Sequence, residues 1–208
     1  MNAIVDKFRT IPTTCISDVM QGLNNLDPAI KPLKEEYIMA GRSCTVKMMA
    51  GDNMAVLKGI RQAKPGDILV VDAKDYLYSA AAGDFVIGLA HTLGLGGVVI
   101  DGSVRDVISI KNSNFPVFCK GTTVACSKKY GIGEVNVPIS CGGAAIQPGD
   151  IIVGDADGVV VIPQSKAESV LKAAMLKLQN DQERAETILG NPQAAERYID
   201  SLLTDSCK

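Results

Sequence analysis

The sequence has one histidine, His91, and six cysteines without a Cys-x-x-Cys pair. A structural zinc site needs several closely spaced imidazoles and thiolates, so none is expected. A basic excess is also missing. Lys and Arg number 21 against 23 Asp and Glu, for a net charge of -2. Nucleic-acid binding draws on Lys and Arg stripes that neutralise phosphates, and is not expected here. Long apolar runs are absent too. The most apolar stretch, residues 79–100, is broken by Asp84, His91 and five glycines, which makes it a poor membrane span. The opening residues MNAIVDKFRT hold no apolar core ahead of a cleavage site. A soluble, cytoplasmic protein is therefore the expectation. The Gly94-Leu-Gly-Gly97 cluster precedes a strand instead of following one and lacks the G-x-G-x-x-G spacing. No dinucleotide or S-adenosylmethionine site is read from it.

What is present suits one well-buried core. The 208 residues are 47% hydrophobic and 21% charged, with no linker or low-complexity segment, so a single domain over 1–208 is expected. Cys15, Cys44, Cys119, Cys126 and Cys141 sit among apolar or small residues and read as reduced core thiols. Thr13 or Thr14 can cap a short helix that Gly22 ends. Residues 41–49 alternate like a strand, and 53–63 carry Met54, Val56, Leu57 and Ile60 at helical spacing. Pro65-Gly-Asp67 is a turn feeding a strand, and a near-copy returns at Pro148-Gly-Asp150. Residues 83–93 place Phe85, Val86, Leu89, Ala90 and Leu93 on one helical face. Residues 97–101 form a buried strand, Gly102 to Asp106 a turn, 107–111 a short helix and 115–119 another strand. Asp157-Gly158 marks a hairpin. Ser165 and Glu168 form a capping box opening C-terminal helices over about 165–203, interrupted at Gly190-Asn-Pro192. The fold class is α/β, or mixed α+β.

Three residues stand out for chemistry. Asp84 opens a helix, where an acid is favoured and where the free N–H groups of Phe85 and Val86 can hold an anion. Arg105 and Asp106 follow a buried strand, at the kind of strand end where α/β sites form. A single carboxylate such as Asp106 suits a hard divalent cation, Mg2+ or Mn2+, that keeps several waters. A 2-oxo acid can chelate that cation while Arg105 binds the same oxygens through its fork. Cleavage of the C3–C4 bond collects charge on the C2 oxygen, which the cation and Arg105 would stabilise. Asp84 could hold a water and shuttle a proton. The plainer alternative is a surface turn with an Arg–Asp pair.

Gly83-Asp84, twenty residues, then Arg105-Asp106 resembles the RraA-like family, which includes 4-hydroxy-4-methyl-2-oxoglutarate aldolases that also decarboxylate oxaloacetate. The resemblance runs from about Thr14 to Ala173 and includes Pro138-Ile-Ser-Cys-Gly-Gly143 and residues 148–158. It implies a swivelling β/β/α domain with a C-terminal helix, and trimers or hexamers with active sites between subunits. It implies a class II, metal-dependent lyase acting on pyruvyl-containing 2-oxo acids. Asp106 would bind the metal and Arg105 the substrate and enolate oxygen. Gly83, Asp84, Phe85 and Val86 would line the pyruvyl end, with Asp84 ordering a water on the metal. A C-terminal acid from a neighbouring subunit would complete the site, Asp181 in preference to Glu183. Ile108 and Ser109 stand where members often have an acid, a departure that can mark a different substrate. Some RraA-like proteins bind and inhibit ribonuclease E without catalysis, which is the alternative function. Among the remaining candidates, His91 reads as structural or solvent-facing. Lys111, Lys120, Lys128 and Lys129 could form a Schiff base but lack an apolar pocket. Tyr76 and Tyr78 read as packing. Arg42 and Arg61 are candidates to read a distal carboxylate.

Overall fold

The computed structural model describes residues 3–205; Cys207 lies outside them. Two short helices open the chain, α1 (Ala3–Phe8) and α2 (Thr13–Val19). Then follow β1 (Lys31–Pro32), β2 (Met39–Met48), α3 (Met54–Gln62), β3 (Ile68–Tyr76), α4 (Asp84–Thr92), β4 (Gly97–Val104), α5 (Val107–Asn112) and β5 (Val117–Thr122). The second half has β6 (Gly133–Val135), β7 (Ile139–Cys141), β8 (Ala144–Ile146), β9 (Ile151–Asp155), β10 (Gly158–Ile162), α6 (Ala167–Ile188) and α7 (Pro192–Asp205).

Strand β2 is the pivot. Its first residues, Met39 to Arg42, pair antiparallel with β9, and its next, Ser43 to Lys47, pair parallel with β3. The order β1-β5-β4-β3-β2-β9-β10 is thus parallel in the middle and antiparallel at both ends. Helices cover one face of the parallel part and the β7–β8 hairpin packs on the other. The two-residue period sorts the side chains. Leu69, Val71, Val98 and Ile100 point to the α3–α4–α5 layer; Ile68, Val70 and Val99 point to the hairpin with Phe118 and Ile146. Burial on both faces is why β3 and β4 read as continuous apolar runs. A third core joins α1, α2 and α6 to β9 and β10 through Phe8, Ile16, Ile151, Val153, Ile162 and Ala174.

Several local expectations are corrected. Gly102 to Val104 is the end of β4, not a turn. There Ser103 is buried and its hydroxyl donates to the carbonyls of Leu77 and Ser79. Thr13 does not cap α2. Its N–H and hydroxyl both donate to Asp155, at 2.8 and 2.7 Å. The Ser165–Glu168 box does not form, because a 3-10 turn at Gln164–Lys166 follows Pro163 and precedes α6. The hairpin connection is Ala156–Asp157, since Gly158 already pairs with Asp155. On α4, Ile87 and Ala90 face the core, whereas Phe85, Leu89 and Leu93 face outward. Four of the five described cysteines are buried, but Cys126 is exposed. Burial pushes the Cys44 and Cys119 thiols up to about 11, which keeps them protonated and inert. Among the described residues no helix is long and apolar enough to cross a membrane.

Candidate active site

The site forms where the chain between β3 and α4 is laid against the end of β4. Ala81 N–H donates to Ser103 O at 2.8 Å and Arg105 N–H to Ala82 O at 3.1 Å. The bridge Ala82–Val104 extends the parallel ladder by one step. Gly83 and Asp84 are thereby set beside Arg105 and Asp106, 22 residues further on. The Asp106 carboxylate meets two positive groups: Oδ2 lies 3.4 Å from Arg105 Nε and 3.4 Å from the Asp84 backbone N, which donates to it. Asp106 holds a left-handed backbone, φ 59°, at the cap of α5. A side chain at Gly83 would displace the Asp106 carboxylate. A Cβ there would stand 2.4 Å from Asp106 Oδ2 and 3.2 Å from Arg105 Cγ.

These residues line a cavity of about 160 Å³ with Asn53, Ala80, Phe85, Val86, Cys126, Ser127 and Lys129. Larger hollows of about 370 and 400 Å³ lie at α2 with the β9–β10 hairpin and on the outer face of α4. No cation lines either; a hollow of about 390 Å³ beside α2 and α6 has Lys166 as its one cation and one of about 230 Å³ beside α1 has Arg9, whereas the smaller cavity gathers Arg105 and Lys129 with two carboxylates. The anion-binding end differs from the expectation in one respect. Phe85 N–H donates to Asp84 Oδ1 at 2.6 Å and is occupied. The first helical bond of α4 is Ile87 N–H to Gly83 O, so Val86 N–H, one residue earlier, has no acceptor in the helix.

The donor set fits a hard divalent cation. Two carboxylates, Asp84 and Asp106, reach the cavity, and the missing Cβ of Gly83 lets the Asp106 carboxylate lie against the start of α4. No group of three or more His, Cys, Asp or Glu able to hold a metal exists among the described residues. One protein carboxylate plus waters is ordinary for Mg2+, but not for zinc.

The other candidates fall elsewhere. His91 stacks on Phe115, with ring centroids 5.1 Å apart, and does not line the cavity. Lys120 is held by three carboxylates, Asp27, Asp75 and Asp101, at 2.8 to 2.9 Å. Burial would lower its pKa, but Asp101, Asp75 and Asp27 outweigh it and raise it well above the usual lysine range. A Schiff-base role needs the opposite. Lys128 lies over the Tyr130 ring. Tyr76 and Tyr78 pack on each other. Asp181 is held on α6 by Lys177 and Arg184, and Glu183 by Gln179. Neither lines the cavity of its own chain, so any part they play is on a neighbouring copy. The sequence reading missed Asn53 and Ser127 as wall residues, because only the fold brings 53 and 127 to 84 and 105.

Residues 13–161 match the family model for RraA-like proteins, described as Aldolase/RraA. This chain belongs to the RraA-like family. A Halalkalibacterium halodurans protein named "Putative 4-hydroxy-4-methyl-2-oxoglutarate aldolase" is 52% identical over 202 residues, covering 97% of this chain and 96% of that one. An uncharacterized protein from Pseudomonas syringae pv. tomato has a solved structure with a TM-score of 0.83, 28% identity and 95% coverage of both chains. The RNA-processing inhibitor RraA from Thermus thermophilis superposes with a TM-score of 0.67 at 30% identity, covering 73% of this chain and 92% of that one. The mixed sheet with C-terminal helices is thus the RraA-like fold.

Proposed function

We propose that this RraA-like protein is a divalent-metal-dependent lyase that releases pyruvate from 2-oxo acids. Its substrates are 4-hydroxy-4-methyl-2-oxoglutarate, by aldol cleavage, and oxaloacetate, by decarboxylation. The observation that carries the reading is the contact of Gly83, Arg105 and Asp106 in one small polar cavity at the start of α4.

Each residue has a task that its geometry permits. Arg105 binds the pyruvyl carboxylate and C2 oxygen through its planar fork, and Val86 N–H at the positive end of α4 adds a second donor. Asp106 would hold the cation, Mg2+ or Mn2+, and when bound that cation supplies Lewis-acid polarisation of the 2-oxo group. When the C3–C4 bond breaks, its electron pair passes into the C2–C3 enolate while the C4 hydroxyl gives its proton to the water held by Asp84 and becomes a carbonyl. In oxaloacetate the carboxylate leaves as CO2 instead. Arg105 is placed to stabilise the enolate oxygen. Asp84, exposed at the cavity mouth, holds a water and moves the proton that C3 takes to form pyruvate.

Assembly belongs to the same proposal. Phe85, Ile108 and Val124 are 76%, 79% and 95% exposed, beside or among the site residues. Such an apolar rim supports a trimer or hexamer in which a neighbour's Asp181 closes the site. The test is pyruvate release from both acids with Mg2+ and with EDTA. Metal-dependent release above a protein-free blank supports the reading. Its absence with folded protein would favour the likeness to the RraA inhibitor, a binding protein without turnover.

A further inference from the structure

Lys120 takes no part in the proposed reaction, yet it is the most heavily paired cation among the described residues. From β5 it reaches carboxylates on three separate parts of the chain: Asp27 ahead of β1 at 2.9 Å, Asp75 on β3 at 2.8 Å and Asp101 on β4 at 2.9 Å. The side chains of Lys120 and Asp101 are each 9% exposed. Asp101 also accepts from Gly142 N–H at 2.8 Å, which joins the β7–β8 hairpin to the cluster. One carboxylate would neutralise the ammonium. Three, from separate elements, tie strand ends together.

The register of β3 on β4 shows which strand end needs holding. Val71 pairs with Ile100, but Tyr76 pairs with Gly102. Five steps along β3 thus match two along β4, and the surplus is taken up as a bulge at residues 72–75. Lys74 and Asp75 both take up left-handed backbone there, with φ of 62° and 56°, which residues with a Cβ rarely adopt. Each is tied down. Asp72, 2% exposed, accepts from Lys74 N–H at 3.1 Å and pairs with the Lys74 ammonium. Asp75 is tied to Lys120. The bulge sets the register of all that follows. Ser103 Oγ then meets the carbonyls of Leu77 and Ser79, Ala81 N–H meets Ser103 O, and Arg105 N–H meets Ala82 O. The strands are close here: a Cβ on Gly102 would stand 2.9 Å from Ala73 Cβ and 3.1 Å from Tyr76 O.

We infer that Lys120 is a positioning residue: by clamping Asp75 in the β3 bulge to Asp101 on β4, it fixes the register that delivers Gly83 and Asp84 to Arg105 and Asp106. Lys120 does not line the cavity; it acts through the two strands. The effect on turnover rests on the lyase reading, whereas the effect on register does not. The test is amide hydrogen exchange at Ala81 and Arg105 in the full-length protein, with the amides of β9 and β10 as reference and kcat for pyruvate release measured on the same samples. Asp75→Asn removes one carboxylate from a side chain that is 68% exposed, and Asn tolerates left-handed backbone, so this variant folds. Its Ala81 and Arg105 amides are expected to exchange about tenfold faster, with β9 and β10 unchanged, and kcat to fall about tenfold. Lys120→Met, which leaves three carboxylates without their cation, goes further, and Lys120→Arg keeps the charge and most of both properties. If Lys120→Met does not fold, Asp75→Asn decides. Wild-type exchange at Ala81 and Arg105 in Asp75→Asn, an equal rise in β9 and β10, or an unchanged kcat beside faster exchange overturns the assignment. If the wild type releases no pyruvate, a rise confined to Ala81 and Arg105 upholds the clamp and removes only the lyase reading.

Discussion

Residues 65–73 read Pro-Gly-Asp-Ile-Leu-Val-Val-Asp-Ala and residues 148–156 read Pro-Gly-Asp-Ile-Ile-Val-Gly-Asp-Ala. Their turn glycines share one left-handed conformation. Gly66 and Gly149 have φ of 87° and 88°. Asp67 Oδ2 accepts from Lys64 N–H at 2.9 Å, and Asp150 Oδ2 from Gln147 N–H at 2.8 Å. Both strands then pair with β2, and there the likeness ends. β3 runs parallel to it, β9 antiparallel. A parallel strand must cross over to continue, and the crossover brings α4 and the end of β4 together at one edge. An antiparallel strand can turn straight back, as β9 does into β10. The first copy leads into the cavity of Gly83, Arg105 and Asp106. The second spends its last carboxylate, Asp155, on fastening Thr13. Turn chemistry is local, but whether a strand builds a site depends on what the chain does next.

If that contrast is right, mutations in the parallel half change turnover and those in the antiparallel half change stability. The largest effect is expected for Arg105→Ala, which should lower pyruvate release by about 10²- to 10³-fold. Arg105→Lys should recover little, because an ammonium lacks the fork. The matching change, Asp155→Ala, should leave turnover per folded molecule alone and cost about 1–2 kcal/mol in denaturant melts. Next comes a glycine pair. Gly83→Ala pushes into Asp106 Oδ2 and should cut turnover about tenfold or more. Gly154→Ala meets Met39 and Phe118 at 2.8 to 3.1 Å instead, so it should cost about 1–3 kcal/mol of stability and no chemistry.

Smaller effects sharpen the same comparison. Asp150 also accepts from Gln164 N–H at 3.0 Å and is buried, whereas Asp67 makes the single turn bond. Asp150→Ala should therefore destabilise by about 2 kcal/mol and Asp67→Ala by about 1. Equal losses would mean the two turns are equivalent beyond their shape. The smallest effect is in pH. The Ala29 N–H, and then Lys120, hold the Asp27 carboxyl below its ordinary range. Its stabilisation is present above the usual carboxylate range and is lost as pH falls through the lowered value. Asp27→Asn should flatten part of the acid limb of the stability curve.

Much of this was legible in the sequence. The continuous apolar runs of β3 and β4, the two Pro-Gly-Asp turns and the Asp84–Arg105–Asp106 spacing all appear as residues on a line. Three things were not. The outward face of α4 is not legible, because Phe85, Leu89 and Leu93 are apolar at helical spacing and periodicity does not distinguish a core face from an exposed apolar one. The expected cap bonds of Thr13 and Ser165 gave way to tertiary partners and to a 3-10 entry. The cavity wall of Asn53, Ser127 and Lys129 has no spacing to find, since backbone bonds across some 75 residues assemble it.

The most direct test is pyruvate release by Asp106→Ala in Mg2+, measured beside its thermal melt. The account predicts a native melt with turnover reduced to the protein-free blank. A folded Asp106→Ala protein that still releases pyruvate at the wild-type rate would contradict it.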